Sequence, residues 1–292
     1  MKNRLPSILG ILAIAAAIMM TTISALPQGR GQRGAPQPAK TIAPVDLTGY
    51  WVSVVSEDWR FRMTTPRKGD YESLPLNAEG RRVADTWDLS KDNQAGVQCK
   101  AFGIGGIMRQ PGRLHITWQD DNTLKIDFDA GTQTRLLYFD KSKMPAPEKA
   151  DKTWQGISFA QWEGPALGQR GRGTANAAPR DPGGGGAGLR GGPAPPDAVL
   201  EGGDLKVVTT HFREGYLRKN GVPYSEDATV TEYIHRLPQA PNGDNWLLVV
   251  TEVNDPKYLS EPFYTSTQFK LEKDGSKWNP SPCRTAAPPA GK

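Results

Sequence analysis

The feature that most constrains the fold is a pair of strictly alternating runs. Leu114, Ile116 and Trp118 alternate with His115, Thr117 and Gln119, and Leu124, Ile126 and Phe128 alternate with Lys125, Asp127 and Asp129. Side chains of a strand point to opposite faces with a period of two, so each run gives one apolar face and one wet face. Asp120-Asp121-Asn122 between them supplies the turn, and the whole reads as a β-hairpin. Similar short runs recur over Tyr50 to Val55, Trp59 to Met63, Thr132 to Phe139, Trp154 to Glu163, Asp204 to Phe212, Ala228 to Leu237, Asn245 to Val253 and Phe263 to Leu271. The chain is therefore expected to be all-β, an antiparallel barrel or strongly curved sheet of about 8 to 10 strands. One short helix interrupts the series at residues 78–88, with Asn77 as its N-cap, Val83 and Trp87 on one face, and Gly80 weakening it.

Two stretches stand outside this pattern. Residues 26–44 are rich in Pro, Gly and Gln and read as a disordered tail. Residues 165–196 hold ten Gly and six Pro in 32 positions and read as a long disordered Gly/Pro/Arg-rich insertion. Neither contains enough apolar surface to offset the entropy of ordering. Because closure entropy grows only logarithmically with loop length, the sequence favours one β-domain over residues 45–284, interrupted by that insertion, with residues 285–292 a flexible C-terminus.

Met1-Lys2-Asn3-Arg4 followed by an apolar run from Ile8 to Met20 and small residues at Ser24 and Ala25 has the form of a secretory signal peptide over residues 1–25. The run is too short for a bilayer-spanning helix, and no later segment is long and apolar enough for one. The mature chain is expected to be exported, periplasmic or extracellular, with no membrane span after signal cleavage. In such a compartment the only two cysteines, Cys99 and Cys283, have one intramolecular pairing available and are expected to form a disulfide.

The net charge of +5 suggests an acidic partner until the charges are located. Lys2, Arg4, Arg30, Arg33, Lys40, Arg170, Arg172, Arg180 and Arg190, less Asp181, account for eight positive charges in the leader, the tail and the insertion, which leaves −3 on the rest. The Arg-Gly pieces around Arg30, Arg170 and Arg190 resemble tracts that contact single strands. In an exported chain they read as solvated linkers, so no nucleic-acid partner is expected.

Asp46-Leu47-Thr48-Gly49-Tyr50-Trp51 places Gly-x-Trp at the start of the first strand. That tripeptide resembles the opening of lipocalin-like, or calycin-like, barrels, in which the Trp plugs one end and the Gly permits close packing. Further along, Lys206-Val207-Val208-Thr209-Thr210-His211-Phe212, Asn220-Gly221-Val222-Pro223-Tyr224-Ser225-Glu226, Val230-Thr231-Glu232-Tyr233 and Asn254-Asp255-Pro256-Lys257-Tyr258 are similar to a family of exported bacterial proteins of unknown function. The resemblance reaches over most of residues 46–283 outside the insertion. It implies an exported β-fold and supplies no catalytic residues.

No reaction announces itself. His115, His211 and His235 stand singly, there is no His-x-His or zinc-helix spacing, no Gly-x-Ser-x-Gly elbow and no βαβ setting for Gly103-Ile104-Gly105-Gly106. No metal, cofactor or catalytic residue is expected. The leading expectation is a non-enzymatic barrel binding a small, largely apolar ligand in a cavity lined by Arg109, Arg135, His211, Tyr233 and His235. The run Ala228 to Leu237 leaves two arrangements open: Thr231, Tyr233 and His235 inward, which this cavity needs, or Tyr233 and His235 on the solvent face with Glu232 pairing at a rim. A solid interior would speak against it. A surface interaction or scaffold module with flexible linkers is the second expectation, favoured by a filled core with an exposed apolar or aromatic patch. The third is a hydrolase or isomerase in the barrel mouth, which needs His211 or His235 within reach of Glu226 or Glu232. Of the eight tryptophans, Trp51, Trp118 and Trp246 read as core, and Trp59, Trp154 and Trp162 as candidates for a sugar-stacking surface. The sequence carries no signal for oligomeric state.

Overall fold

The computed structural model describes residues 37–163, 204–284 and 286–289. The expected signal peptide, most of the expected tail and the 165–196 insertion lie outside the described residues. In chain order the elements are β1 (Gly49–Val54), α1 (Trp59–Met63), α2 (Ala78–Ala84), α3 (Leu89–Gln94), β2 (Arg113–Asp120), β3 (Thr123–Phe128), β4 (Ala130–Gly131), β5 (Gln133–Tyr138), β6 (Ile157–Trp162), β7 (Leu205–Thr210), β8 (Gly215–Arg218), β9 (Val222–Tyr224), β10 (Thr229–Arg236), β11 (Trp246–Asn254), β12 (Phe263–Leu271) and β13 (Ser281–Pro282).

Nine strands close a barrel in the order β1-β12-β11-β10-β7-β6-β5-β3-β2. Strand direction cannot alternate all the way round a closed ring of nine, so one neighbouring pair must be parallel. That pair is β5 and β6, with Leu137 opposite Ser158 and Tyr138 opposite Phe159. The chain between them, residues 139–156, returns along the barrel to permit it. β6 and β7 then pair antiparallel from Ile157–Thr210 to Trp162–Leu205, so the strands on either side of residues 164–203 belong to one sheet.

The Gly-x-Trp motif behaves as its chemistry demands. Gly49 has φ +127, and a Cβ there would lie 2.9 Å from Leu271 Cδ1. Trp51 is fully buried, and its indole Nε1 donates to the Leu47 carbonyl at 3.0 Å. Residues 37–48 close that end of the barrel. Trp162 Nε1 donates to the Ala39 carbonyl at 2.8 Å, and Trp162, Trp118 and Phe139 pack with ring centroids 5.1 to 6.4 Å apart. Residues 37–44, expected as part of a disordered tail, pack on the barrel here, with Ala39 and Ala43 buried.

The opposite end carries nearly all the added structure: residues 55–112, the β8–β9 hairpin and the β11–β12 loop. These form a cap with its own core, in which Tyr71, Leu74, Ile104, Phe212, Leu217 and Tyr224 pack on Val230, Val253 and Phe263 at the strand ends. Two elements here correct the sequence reading. Trp59 to Met63, expected as a strand, is the helix α1, and the helix expected over residues 78–88 is the shorter α2, followed by a second short helix, α3. Asn77 does cap α2, accepting from Gly80 N at 2.8 Å. Gly80 is required as well as tolerated, since a Cβ there would meet the Tyr258 carbonyl oxygen at 2.3 Å. α2 ends at Ala84, Trp87 turns into the cap, and Asp88 starts α3 by accepting from Ser90 N at 2.9 Å.

Cys99 and Cys283 are joined by a disulfide. It ties the C-terminal β13, which pairs in parallel with β4, to the edge of the cap.

Candidate functional site

The inward face of each strand locates the barrel's polar groups. β10 shows the pattern most clearly: Val230, Glu232 and Ile234 are buried, while Thr229, Thr231, Tyr233 and His235 are only half-buried on the outer wall. Inward residues nearer the closed end, among them Ile116, Leu124, Ile126, Leu137, Val207 and Val249, form one apolar core together with Trp51 and Phe269. Those nearer the cap belong to the cap core. Between the two lies a polar layer: Arg135, Ser158, Thr209, Glu232, Thr251 and Thr267, all buried. Arg135 Nη2 and Glu232 Oε2 are 2.6 Å apart, and Ser158 Oγ and Thr209 Oγ1 share a hydrogen bond of 2.8 Å beside them.

This layout disperses the five residues expected to line an internal cavity. Arg135 is inside but is spent on Glu232. Tyr233 and His235 face outward because the register puts Glu232 inside. Tyr233 receives Lys206 over its ring at 5.3 Å, and His235 Nδ1 lies 4.0 Å from Asp204. His211 sits past the end of β7 with φ 56, and its Nε2 contacts the Ala150 carbonyl at 2.8 Å. Arg109 is in the cap and pairs with Asp58. The histidines do not meet the carboxylates a hydrolase would need either, since Glu226 pairs with Lys152 at 2.8 Å and Glu232 with Arg135. Among the described residues no group of three or more His, Cys, Asp and Glu is placed to hold a metal ion.

The charged chemistry collects at the cap instead. Arg62 on α1 points inward and is 1% exposed; it donates to the Arg109 carbonyl, Glu57 Oε1 and Ser53 Oγ at 3.0 to 3.1 Å. Arg109 Nη2 donates to Asp58 Oδ2 at 2.8 Å, and its other terminal nitrogen bonds Thr265 Oγ1. Arg218, at the end of β8, is buried with its guanidinium 3.8 Å above the Phe61 ring and donates to the Glu72 carbonyl at 2.9 Å. Lys219 Nζ donates to the Arg62 carbonyl at 2.7 Å. Two of these four cations are paired, Arg62 with Glu57 and Arg109 with Asp58. Among the described residues neither Arg218 nor Lys219 has a carboxylate partner.

The strain of this arrangement is visible in the residues themselves. Burial, with the positive charge of Arg109 adding to it, lowers the Arg218 pKa to about 10. Lys219 is pushed down by burial and then by Arg62. Asp58, the carboxylate that serves Arg109, holds a left-handed backbone at φ 49, a conformation that costs a non-glycine residue about 1 kcal/mol or more and persists only where its surroundings enforce it.

Beside this cluster opens a cavity of about 300 Å³. Lys219 and Arg284 supply its charge, Thr64 and Thr65 its hydroxyls, and Met63 and Phe102 its apolar surface, with no acidic side chain among the described residues of the lining. Arg284 reaches the cavity because the disulfide anchors the residue before it.

Sequence reasoning found Arg109 but not Arg62, Arg218 or Lys219. The signal for the last two was present in Asn220-Gly221, a dipeptide that favours a tight hairpin turn. Gly221 has φ +79 and turns β8 into β9, which places Arg218 and Lys219 at the hairpin tip. No protein family model, curated protein or solved structure matches the chain, so the site is read from its own geometry.

Proposed function

We propose that this chain is an exported, non-enzymatic binding protein whose ligand is a small amphiphile with one acidic headgroup, held at the capped end of the barrel and not in its interior. The observation that carries the reading is Lys219, a half-buried cation without a carboxylate partner among the described residues, on the wall of a cavity that also presents Arg284, two threonine hydroxyls and the apolar Met63 and Phe102. A carboxylate, sulfate or phosphate group would complete the charge balance there, and an apolar body would cover the methionine and phenylalanine. Burying a charge is costly unless it is paired, so an unpaired cation at a cavity wall favours an anion as the missing partner. The disulfide and the form of the N-terminal segment support export.

Native mass spectrometry of the protein purified from its own compartment tests this reading. An acidic amphiphile released on activation is the expected adduct; a neutral or cationic one, or a sugar, speaks against it.

A further inference from the structure

We infer that the capped end is also a docking surface for an anionic lipid bilayer, with α1 as the element that enters the headgroup region. α1 buries one of its two arginines and exposes apolar side chains: Arg62 is 1% exposed, whereas Trp59 and Met63 are 65% and 56% exposed, with Arg60 also at the surface in its pairing with Asp70. These two residues are four apart and so share one face of the turn. Glu57, Ser53 and the Arg109 carbonyl hold Arg62 inward, while Trp59 and Met63 stay at the surface.

Cations surround that face. Lys219 and Asn220 grip the carbonyls of Arg62 and Arg67, so Met63, Arg67 and Lys68 come from one edge of the cap. Arg67 and Lys68 are exposed, and among the described residues they have no carboxylate partner. Of the carboxylates around α1, Glu57 is engaged by Arg62, Asp58 by Arg109, and Asp70 and Glu72 by Arg60.

A tryptophan and a methionine on one short turn, flanked by unpaired long cations, match the interfacial zone of a bilayer. There the indole sits at headgroup level, and lysine and arginine extend toward phosphate. A five-residue helix offers far less surface than the roughly 800 Å² per partner of a stable protein–protein interface, but a lipid surface needs no such area. Arg67 and Lys68 do not line the cavity described above, and neither does Trp59. Met63 is shared with the cavity wall, so the inference is tested on Trp59, Arg67 and Lys68, which do not touch the proposed ligand site.

Vesicle flotation of the full chain provides the test, with phosphatidylethanolamine–phosphatidylglycerol vesicles against phosphatidylcholine vesicles at low and high salt. The expected result is retention by the anionic vesicles alone, lost at high salt, and reduced about tenfold by Trp59→Ser and by Arg67→Glu/Lys68→Glu. Both variants should keep the parent's urea transition and its amphiphile binding, since the replaced side chains are exposed and lie outside the cavity. The inference is overturned if the parent fails to float with anionic vesicles, as a surface for an acidic protein would, or floats equally with neutral ones. It is overturned too if Trp59→Ser, still folded, floats as well as the parent.

Discussion

Arg135 and Glu232, 97 residues apart in sequence, meet at 2.6 Å in a polar layer that separates the core of the barrel from the core of its cap. Both side chains are essentially inaccessible to water, and Arg135 Nη2 also reaches Ser158 and Thr209 at 3.3 to 3.4 Å. The pair joins β5 to β10 across the barrel, on opposite sides of residues 164–203.

Removing either partner leaves a buried charge without compensation. Glu232→Gln and Arg135→Met are each expected to cost about 3 to 5 kcal/mol. The double variant Arg135→Met/Glu232→Met should be more stable than either single one, because no charge then remains buried. Urea unfolding midpoints of the four proteins check this.

The disulfide spans 184 residues, and losing it should cost about 2 to 5 kcal/mol, with the chain-entropy model placing a loop this long at the upper end. Cys283→Ser should also weaken amphiphile binding, since Arg284 leaves the cavity wall when β13 is released. Urea melts and titrations of the same preparation read both effects.

Two left-handed glycines separate backbone strain from steric conflict. At Gly243, φ +84, a Cβ would meet nothing within 4 Å; at Gly221, φ +79, it would lie 2.2 Å from the Trp87 ring. Gly243→Ala is expected to cost about 1 kcal/mol from backbone conformation alone. Gly221→Ala should cost about 3 kcal/mol, because Trp87 must also move. Parallel thermal melts test the difference.

His115 lies flat on Tyr50, with ring centroids 3.9 Å apart, and Trp278 stands edge-on to both. Burial holds its imidazole below the ordinary histidine pKa. As pH falls through about 6.5 the unfolded chain takes up the proton first, so stability is lost on acidification and the loss levels off once pH passes below the folded value. His115→Gln should remove that contribution. Urea midpoints of both proteins at about pH 7.5 and about pH 5 should differ more for the parent than for the variant.

How far the sequence could be read depended on whether a residue's role is set locally. The β2–β3 hairpin was legible because Leu114, Ile116 and Trp118 alternate with polar residues, and period two means strand wherever one face is buried. Cys99 and Cys283 were legible because two cysteines have a single pairing. Trp59 to Met63 misled because Trp-Arg-Phe-Arg-Met alternates as a strand would; what makes it a helix is the partnership of Arg62 with Glu57, Ser53 and Arg109, which only the folded cap supplies. The side on which Tyr233 and His235 lie stayed open for a related reason. Every second residue of β10 faces in, but the pattern alone does not say that Glu232 will be chosen, because its partner Arg135 lies on a distant strand. Of the cap cations only Arg109 was singled out; Arg62, Arg218 and Lys219 were missed since they come from separate segments that the fold alone brings to it.

The most direct test of the cap as the binding site is a calorimetric titration of the intact protein with dodecanoate and with dodecanol, repeated on Lys219→Met. Saturable one-to-one binding of dodecanoate, at least about tenfold weaker in the variant, with no binding of dodecanol, is the predicted result. Equal binding of acid and alcohol, or dodecanoate binding that Lys219→Met leaves unchanged, would contradict it.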